Sequence, residues 1–325
     1  MYTAFYGLKE LPFDLSPNPK YLLMTPRHRE ALANLQYGIS SRKSITLLLG
    51  EAGTGKTTLV RAALESEACN GARILHLNNP ALTRQEFIEF LARGFSLSPE
   101  AMTSKTTLLF ELERELKQRR AAGETIALVI DEAQSLSHDL LEEVRLLANI
   151  ETSTEKLLPV VLAGQPELAD RLNDASLRQL KQRVALRCTL GLLDLTETAG
   201  YIAGRLRVAG GDAAHIFTRE AVEFVATRSG GVPRTINVIC DNALVGGFAA
   251  GVKPVGVKIV RDVCQEFDLG ISPPTLPEPP IRPEIARQVQ KAQGVTPPAP
   301  ADDKSTDPAD RLFTTVTRRR RFSFF

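Results

Sequence analysis

Between Ile45 and Leu64 the sequence passes from an uninterrupted apolar run, ITLLLG, into a glycine-rich string and then a helical stretch. Few folds accommodate that succession. The string Gly50-Glu51-Ala52-Gly53-Thr54-Gly55-Lys56-Thr57 matches GxxxxGK(S/T), and it has the flanks this motif needs, a buried strand before and a helix after. Glycines let the backbone wrap closely around a polyphosphate while successive N–H groups point inward as an anion nest. The helix that follows adds the positive end of its dipole. The cradle therefore runs from Gly50 through Thr58, with Lys56 reaching the β- and γ-phosphates and the Thr57 hydroxyl holding Mg²⁺.

A second apolar strand, Ile126–Ile130, ends in Asp131-Glu132, with Asp131 lying 75 residues after Lys56. In a parallel sheet, strand C-termini open onto the ligand crevice. Asp131 is expected in the Mg²⁺ shell and Glu132 as the general base that polarises the attacking water. The expected cofactors are ATP and Mg²⁺, and the expected activity is ATP hydrolysis at the β–γ phosphoanhydride.

The wider pattern supports an α/β class. Apolar runs at 73–78, 125–131, 157–164 and 184–190 alternate with helical segments, for example 106–119 and 138–149. That alternation implies a mostly parallel sheet flanked by helices. From about Asp194 the strands stop, and 196–208, 218–228, 234–248 and 257–267 look helical, a small all-α lid. The expected organisation is an N-terminal segment packing on the nucleotide site (1–44, with a helix from Pro26 to Ile39), an ATPase domain (45–192), a helical lid (193–269) and a Pro-rich tail (270–325). Ten of the twenty prolines fall between Pro273 and Pro308, so the tail is expected to be a disordered linker.

Three further positions fit a nucleotide switch. Gln165 follows the strand ending at Gly164, where a polar side chain would sit between phosphate and water. Arg183 precedes the last strand and is expected to act on a neighbouring subunit's ATP, with Arg178 as the alternative. Arg234, behind Pro233 in Gly231-Val232-Pro233-Arg234, is expected to couple the lid to the γ-phosphate.

The strings IDEAQ, LLEEVRLLANIET, GQPEL, LRQLKQRV and GVPR, with the opening FYGLKELPFDLSPNPKYL, resemble the ExeA/GspA-type AAA+ ATPases, general secretion pathway protein A and its relatives, over roughly residues 1–268. The resemblance implies an ORC/Cdc6-like AAA+ core and ATP-driven assembly of identical subunits with ATP at their interfaces. ATPases with similar cores serve envelope secretion, polysaccharide export, pilus biogenesis or transposition. Two readings follow: an ATPase assembling an envelope machine through a protein partner, or a DNA-binding ATPase that delivers a target to a transposase.

Composition narrows the remaining possibilities. The net charge is +2, and the tail from Ile271 carries nine Lys/Arg against six Asp/Glu, which leaves the body at −1. A body near neutrality argues against a broad phosphate-tracking surface. The tail's Arg318–Arg321 cluster beside Phe322, Phe324 and Phe325 is a candidate for docking on an anionic membrane surface, each arginine adding about 1 kcal/mol. Neither an apolar leader nor a membrane-length apolar run occurs, so the expected location is the cytoplasm, peripheral at the inner membrane if the tail docks. Cys69, Cys188, Cys240 and Cys264 lie too far apart for a metal knuckle.

Overall fold

The computed structural model describes residues 1–78 and 80–268. The Pro-rich tail and its basic, aromatic end lie outside the described residues.

Five strands, β1 (Ile45–Gly50), β2 (Ala72–Leu77), β3 (Thr125–Ile130), β4 (Val160–Gly164) and β5 (Val184–Leu190), form one sheet in the order β2-β3-β4-β1-β5. Every pairing is parallel. Side chains alternate across a strand, and here both faces are apolar. Leu47 and Leu49, Leu128 and Ile130, and Val160 and Leu162 join a core with the helices Arg84–Gly94, Lys105–Ala121 and His138–Leu147. The intervening Leu48, Ala127, Val129, Val161 and Ala163 join a second core under the helices Pro26–Ser40 and Lys56–Leu64. A sheet covered on both sides explains why these strands read as continuous apolar runs.

β4 begins three residues later than the apolar run that announces it. Pro159 has no N–H for the ladder, although its carbonyl accepts from Leu128 N at 3.0 Å. Leu157 instead donates to Ile150 O at 3.0 Å and closes a short excursion around Glu151–Lys156. Edge strand β5 presents Arg187 and Thr189 to solvent, with exposed Arg183 just before it, and charge on an exposed edge discourages pairing with another chain.

Among the described residues, five helices follow Leu190: Leu195–Val208, Ala213–Ile216, Arg219–Ser229, Pro233–Ala249 and Val257–Glu266. The first opens on a reciprocal cap, Glu197 N to Asp194 Oδ1 at 2.7 Å and Asp194 N to Glu197 Oε2 at 3.1 Å. Among the described residues no helix is long and apolar enough to cross a membrane. All four cysteines are buried free thiols.

The N-terminal segment divides its packing. Tyr2, Tyr6, Leu8 and Phe13 are buried in the core of the five C-terminal helices, and only the following stretch reaches the P-loop. Burying an aromatic side chain is worth about 1.5–3 kcal/mol, so three such rings hold the arm firmly. The first helix, Tyr2–Tyr6, forms because Tyr2 and Tyr6 lie four apart on one face, toward that core.

Candidate functional site

The loop between β1 and its helix is held open by local chemistry. Gly55 caps the helix with φ 96°, and Gly53 has φ 80°, a region that suits glycine. Gly53 also admits a close neighbour, since a Cβ there would lie 2.7 Å from Arg234 Cβ. Lys56, only 4% exposed, donates from Nζ to Gly50 O at 2.8 Å and Glu51 O at 3.1 Å. Burial holds its ammonium below the ordinary lysine range, while the carboxylates of Glu132 and Asp131 oppose that shift. The loop is thus folded around a costly cation that an anion would relieve.

β3 delivers Asp131 to the same place. Its N–H donates to Leu77 O at 2.9 Å, its side chain is 5% exposed, and its Oδ2 accepts from Thr57 Oγ1 at 2.5 Å. Two hard oxygen ligands therefore meet beside the P-loop, the donor set that suits Mg²⁺ completed by substrate phosphates. No cluster of three or more His, Cys, Asp or Glu that could hold a metal exists among the described residues, and Mg²⁺ bound by so few protein oxygens would take its other ligands from water and phosphate.

Glu132 adopts φ 52° and ψ 39°, the left-handed region, which costs a non-glycine residue about 1 kcal/mol or more. Such strain persists where surrounding contacts over-determine it. Here Glu132 N donates to Asp131 Oδ1 at 3.0 Å, and Glu132 Oε2 accepts from Gln134 Nε2 at 2.6 Å. Gln165, at the tip of β4, donates its N–H to Gln134 Oε1 at 3.0 Å, and its own Nε2 lies 3.5 Å from Glu132 Oε2. The β3 and β4 tips therefore share one hydrogen-bonded knot.

A cavity of about 190 Å³ runs from Gly53–Thr58 and Glu132 to the helical region and the N-terminal segment. Its far wall is a buried polar network. Arg205, 7% exposed, donates to Pro12 O at 2.5 Å, Tyr201 Oη at 2.6 Å and Asp14 O at 3.1 Å, and its guanidinium lies 4.6 Å from the Tyr21 ring centroid. Tyr201 in turn donates to Asn237 Oδ1 at 3.0 Å. His28, also on the wall, bonds Thr25 Oγ1 through Nδ1 at 2.7 Å, and burial holds its imidazole below the usual histidine range. Arg205→Ala should orphan two backbone carbonyls and cost about 2–4 kcal/mol. Thermal unfolding, with limited proteolysis of residues 10–21, measures this; an unchanged melting point and cleavage pattern would show the arm is held by its aromatic rings alone.

Arg234 lines the cavity, and its N–H donates to Gly53 O at 3.2 Å, which ties the helical region to the P-loop. Gly231 permits that approach, with φ 75° and a hypothetical Cβ only 2.0 Å from Leu193 O. Arg183 and Arg178 do not belong to the cavity, and both are exposed. Val184, beside Arg183, pairs with Ile45 at the start of β1, five residues from Gly50 or about 16 Å along the strand. Lys56, Thr57, Asp131, Glu132, Gln165 and Arg234 thus converge, and Arg183 and Arg178 stand apart from their own site.

Sequence reasoning missed Gln134, Arg205, Tyr201, Asn237 and His28. The one available signal was the four-residue spacing of Tyr201 and Arg205 on a single helix face.

A family model described as an AAA domain matches residues 39–172. General secretion pathway protein A of Aeromonas hydrophila is 45% identical over 252 residues, which are 77% of this chain and 46% of that protein, so the chain spans about half the relative's length. Among solved structures, Cdc6p from Pyrobaculum aerophilum superposes with TM-score 0.61 at 19% identity over 80% of this chain and 72% of the other. The ORC2 protein of Aeropyrum pernix gives 0.60 at 17% identity over 79% and 71%. These two likenesses speak to fold, and the first relative speaks to sequence. The chain is an AAA+ P-loop protein of the general secretion pathway protein A-like type.

Proposed function

We propose that this chain binds ATP with Mg²⁺ in the cavity beside the P-loop and hydrolyses it to ADP and phosphate. The observation that carries the reading is the meeting of Lys56, the Thr57–Asp131 pair and Glu132 at one cavity wall. Loop N–H groups and Lys56 would hold the phosphates. Thr57 and Asp131 would hold Mg²⁺, which when bound offsets charge on the β- and γ-phosphate oxygens. Glu132 takes a proton from water as its oxygen attacks the γ-phosphorus and the bond to ADP breaks. Gln165 orients the water, and Arg234 links the phosphate's presence to the position of the helical lid. Phosphate release by the purified full chain, with ATP and Mg²⁺, tests the reading; no turnover across a wide range of chain concentrations would set it aside.

The separation of Arg183 from its own cavity supports a role in trans within a homo-oligomer, where an arginine supplied by a neighbour neutralises transition-state charge. Arg183→Ala should retain ATP binding and lose hydrolysis. Mixed with Glu132→Gln chains it should regain activity, because some interfaces then combine an intact arginine with an intact carboxylate. No recovery at any mixing ratio would rule out the shared site, and Arg178→Ala in the same assay identifies which arginine acts.

The cellular role we infer is assembly of an envelope secretion or export machine, with an envelope protein as partner and the inner face of the membrane as location. The relative that supports it is a secretion-pathway protein, and this favours the envelope reading over delivery of DNA to a transposase. Replacing the chain by Lys56→Ala in its own cells should block export of an envelope-machine substrate; unimpaired export would separate the ATPase from that pathway.

A further inference from the structure

Gln134 lies two residues past Glu132, in the short turn Ala133–Ser135, and its carboxamide bridges two strand tips. Its Nε2 donates to Glu132 Oε2 at 2.6 Å, and its Oε1 accepts from Gln165 N at 3.0 Å. The second bond fixes the amide's direction. A backbone N–H can only donate, so the amide oxygen must face Gln165 and the NH₂ must face Glu132. Two further contacts hold the residue. Arg171 Nη1 donates to Gln134 O at 2.6 Å. Gly164 leaves room, since a Cβ there would lie 3.1 Å from Gln134 Oε1. Glu132 borders the cavity and Gln134 does not, so the amide grips the carboxylate from the side away from substrate.

We propose that Gln134 is a positioning residue that holds the Glu132 carboxylate in its working orientation and couples that orientation to the tip of β4. The inference rests on Glu132 being the base. A glutamate's terminal torsion is broad, and Glu132 sits on a strained backbone, so neither local geometry nor rotamer preference orients its oxygens. One short bond to Oε2 supplies that orientation and leaves Oε1 for the proton of water. Gln165 Nε2, at 3.5 Å, is too distant to replace it. Because the same amide accepts from Gln165 N, a shift of the β4 tip would move the base with it. Nucleotide-dependent movement of that strand end would thus switch the base as well as the water.

Gln134→Glu and Gln134→Met, in the full chain, test this. Gln134→Glu keeps the size and can still accept from Gln165 N, but it replaces the donor facing Glu132 with an oxygen and, when ionised, adds a like charge there. Both variants should bind ATP with wild-type affinity and lose about 10- to 100-fold in kcat, the scale of a mispositioned catalytic group. The two then diverge with pH. As pH falls, the carboxyl introduced by Gln134→Glu gains a proton it can donate, so its kcat relative to wild type should recover; Gln134→Met should not recover. Wild-type kcat in both variants, or an equal and pH-independent loss in both, would overturn the proposal, the latter marking a packing role. If Gln134→Met does not fold, the pH trend of the size-matched variant decides alone. Glu132→Gln run alongside separates the two levels. Its full turnover would remove the base itself, whereas its inactivity beside fully active Gln134 variants would remove only this inference.

Discussion

Lys56→Ala should bind ATP about 100- to 10,000-fold more weakly than wild type. The ammonium is the buried cation of the phosphate cradle, and hydrogen bonds to charged groups are worth about 1.5–3 kcal/mol each. Losing two converts to that range at about 1.4 kcal/mol per tenfold. Gly50 O and Glu51 O accept from Nζ and keep the side chain within the P-loop. The lowered ammonium range adds a pH signature. Phosphate favours the charged form, so nucleotide binding at alkaline pH must draw a proton onto Lys56. Affinity should therefore decline as pH rises through the lowered Lys56 range, before the ordinary lysine range is reached, and Lys56→Ala should lack that decline. Equilibrium titration with a fluorescent ATP analogue measures both. Unchanged affinity in the variant would remove the P-loop from nucleotide binding.

Glu132→Gln should keep ATP binding and lose about 100- to 10,000-fold in turnover, the usual contribution of a general base. The amide fills the same volume but cannot take the water's proton. The amide oxygen of Glu132→Gln can still accept from Gln134 Nε2, and Glu132 N keeps its bond to Asp131 Oδ1, so the contacts that hold the left-handed backbone remain and stability should change little. Phosphate release and thermal unfolding, measured together, distinguish lost chemistry from lost structure. Turnover at the wild-type rate would mean another group accepts the proton.

Where local chemistry decides structure, the sequence is transparent. Strand β1 occupies the span its apolar run announces, because a sheet covered on both faces needs uninterrupted apolar residues, and β5 occupies its expected span although Arg187 and Thr189 face solvent. Asp131 meets Thr57 because β1 and β3 both run parallel to β4, which sends their C-termini to the same end of the sheet. Pro159 shortens β4 for a reason visible in the sequence, its missing N–H. Other features depend on contacts between distant residues. The aromatic arm Tyr2–Phe13 packs into the C-terminal helices through partners near Tyr201 and Ile236, some two hundred residues away, and no periodicity in thirteen residues reveals that. The Arg205 network is equally non-local, since two of its acceptors are backbone carbonyls at Pro12 and Asp14. Gln134 stands in the string IDEAQ, yet its work follows from a turn that brings it under Gly164, and from the strained backbone of Glu132 beside it. Arg183 is readable as an exposed arginine before the last strand; its distance from its own cavity follows only from the register of β5 on β1.

The account's central claim is that the cavity beside Lys56 is a Mg²⁺-dependent ATP site. Calorimetric titration of the full chain with ATP tests it most directly, in the presence of Mg²⁺ and again with the metal chelated. One ATP should bind per chain, and binding should weaken on chelation, because Thr57 and Asp131 lose the ion that joins them to the phosphates. Absence of binding under both conditions, or equal affinity with and without Mg²⁺, would contradict the account.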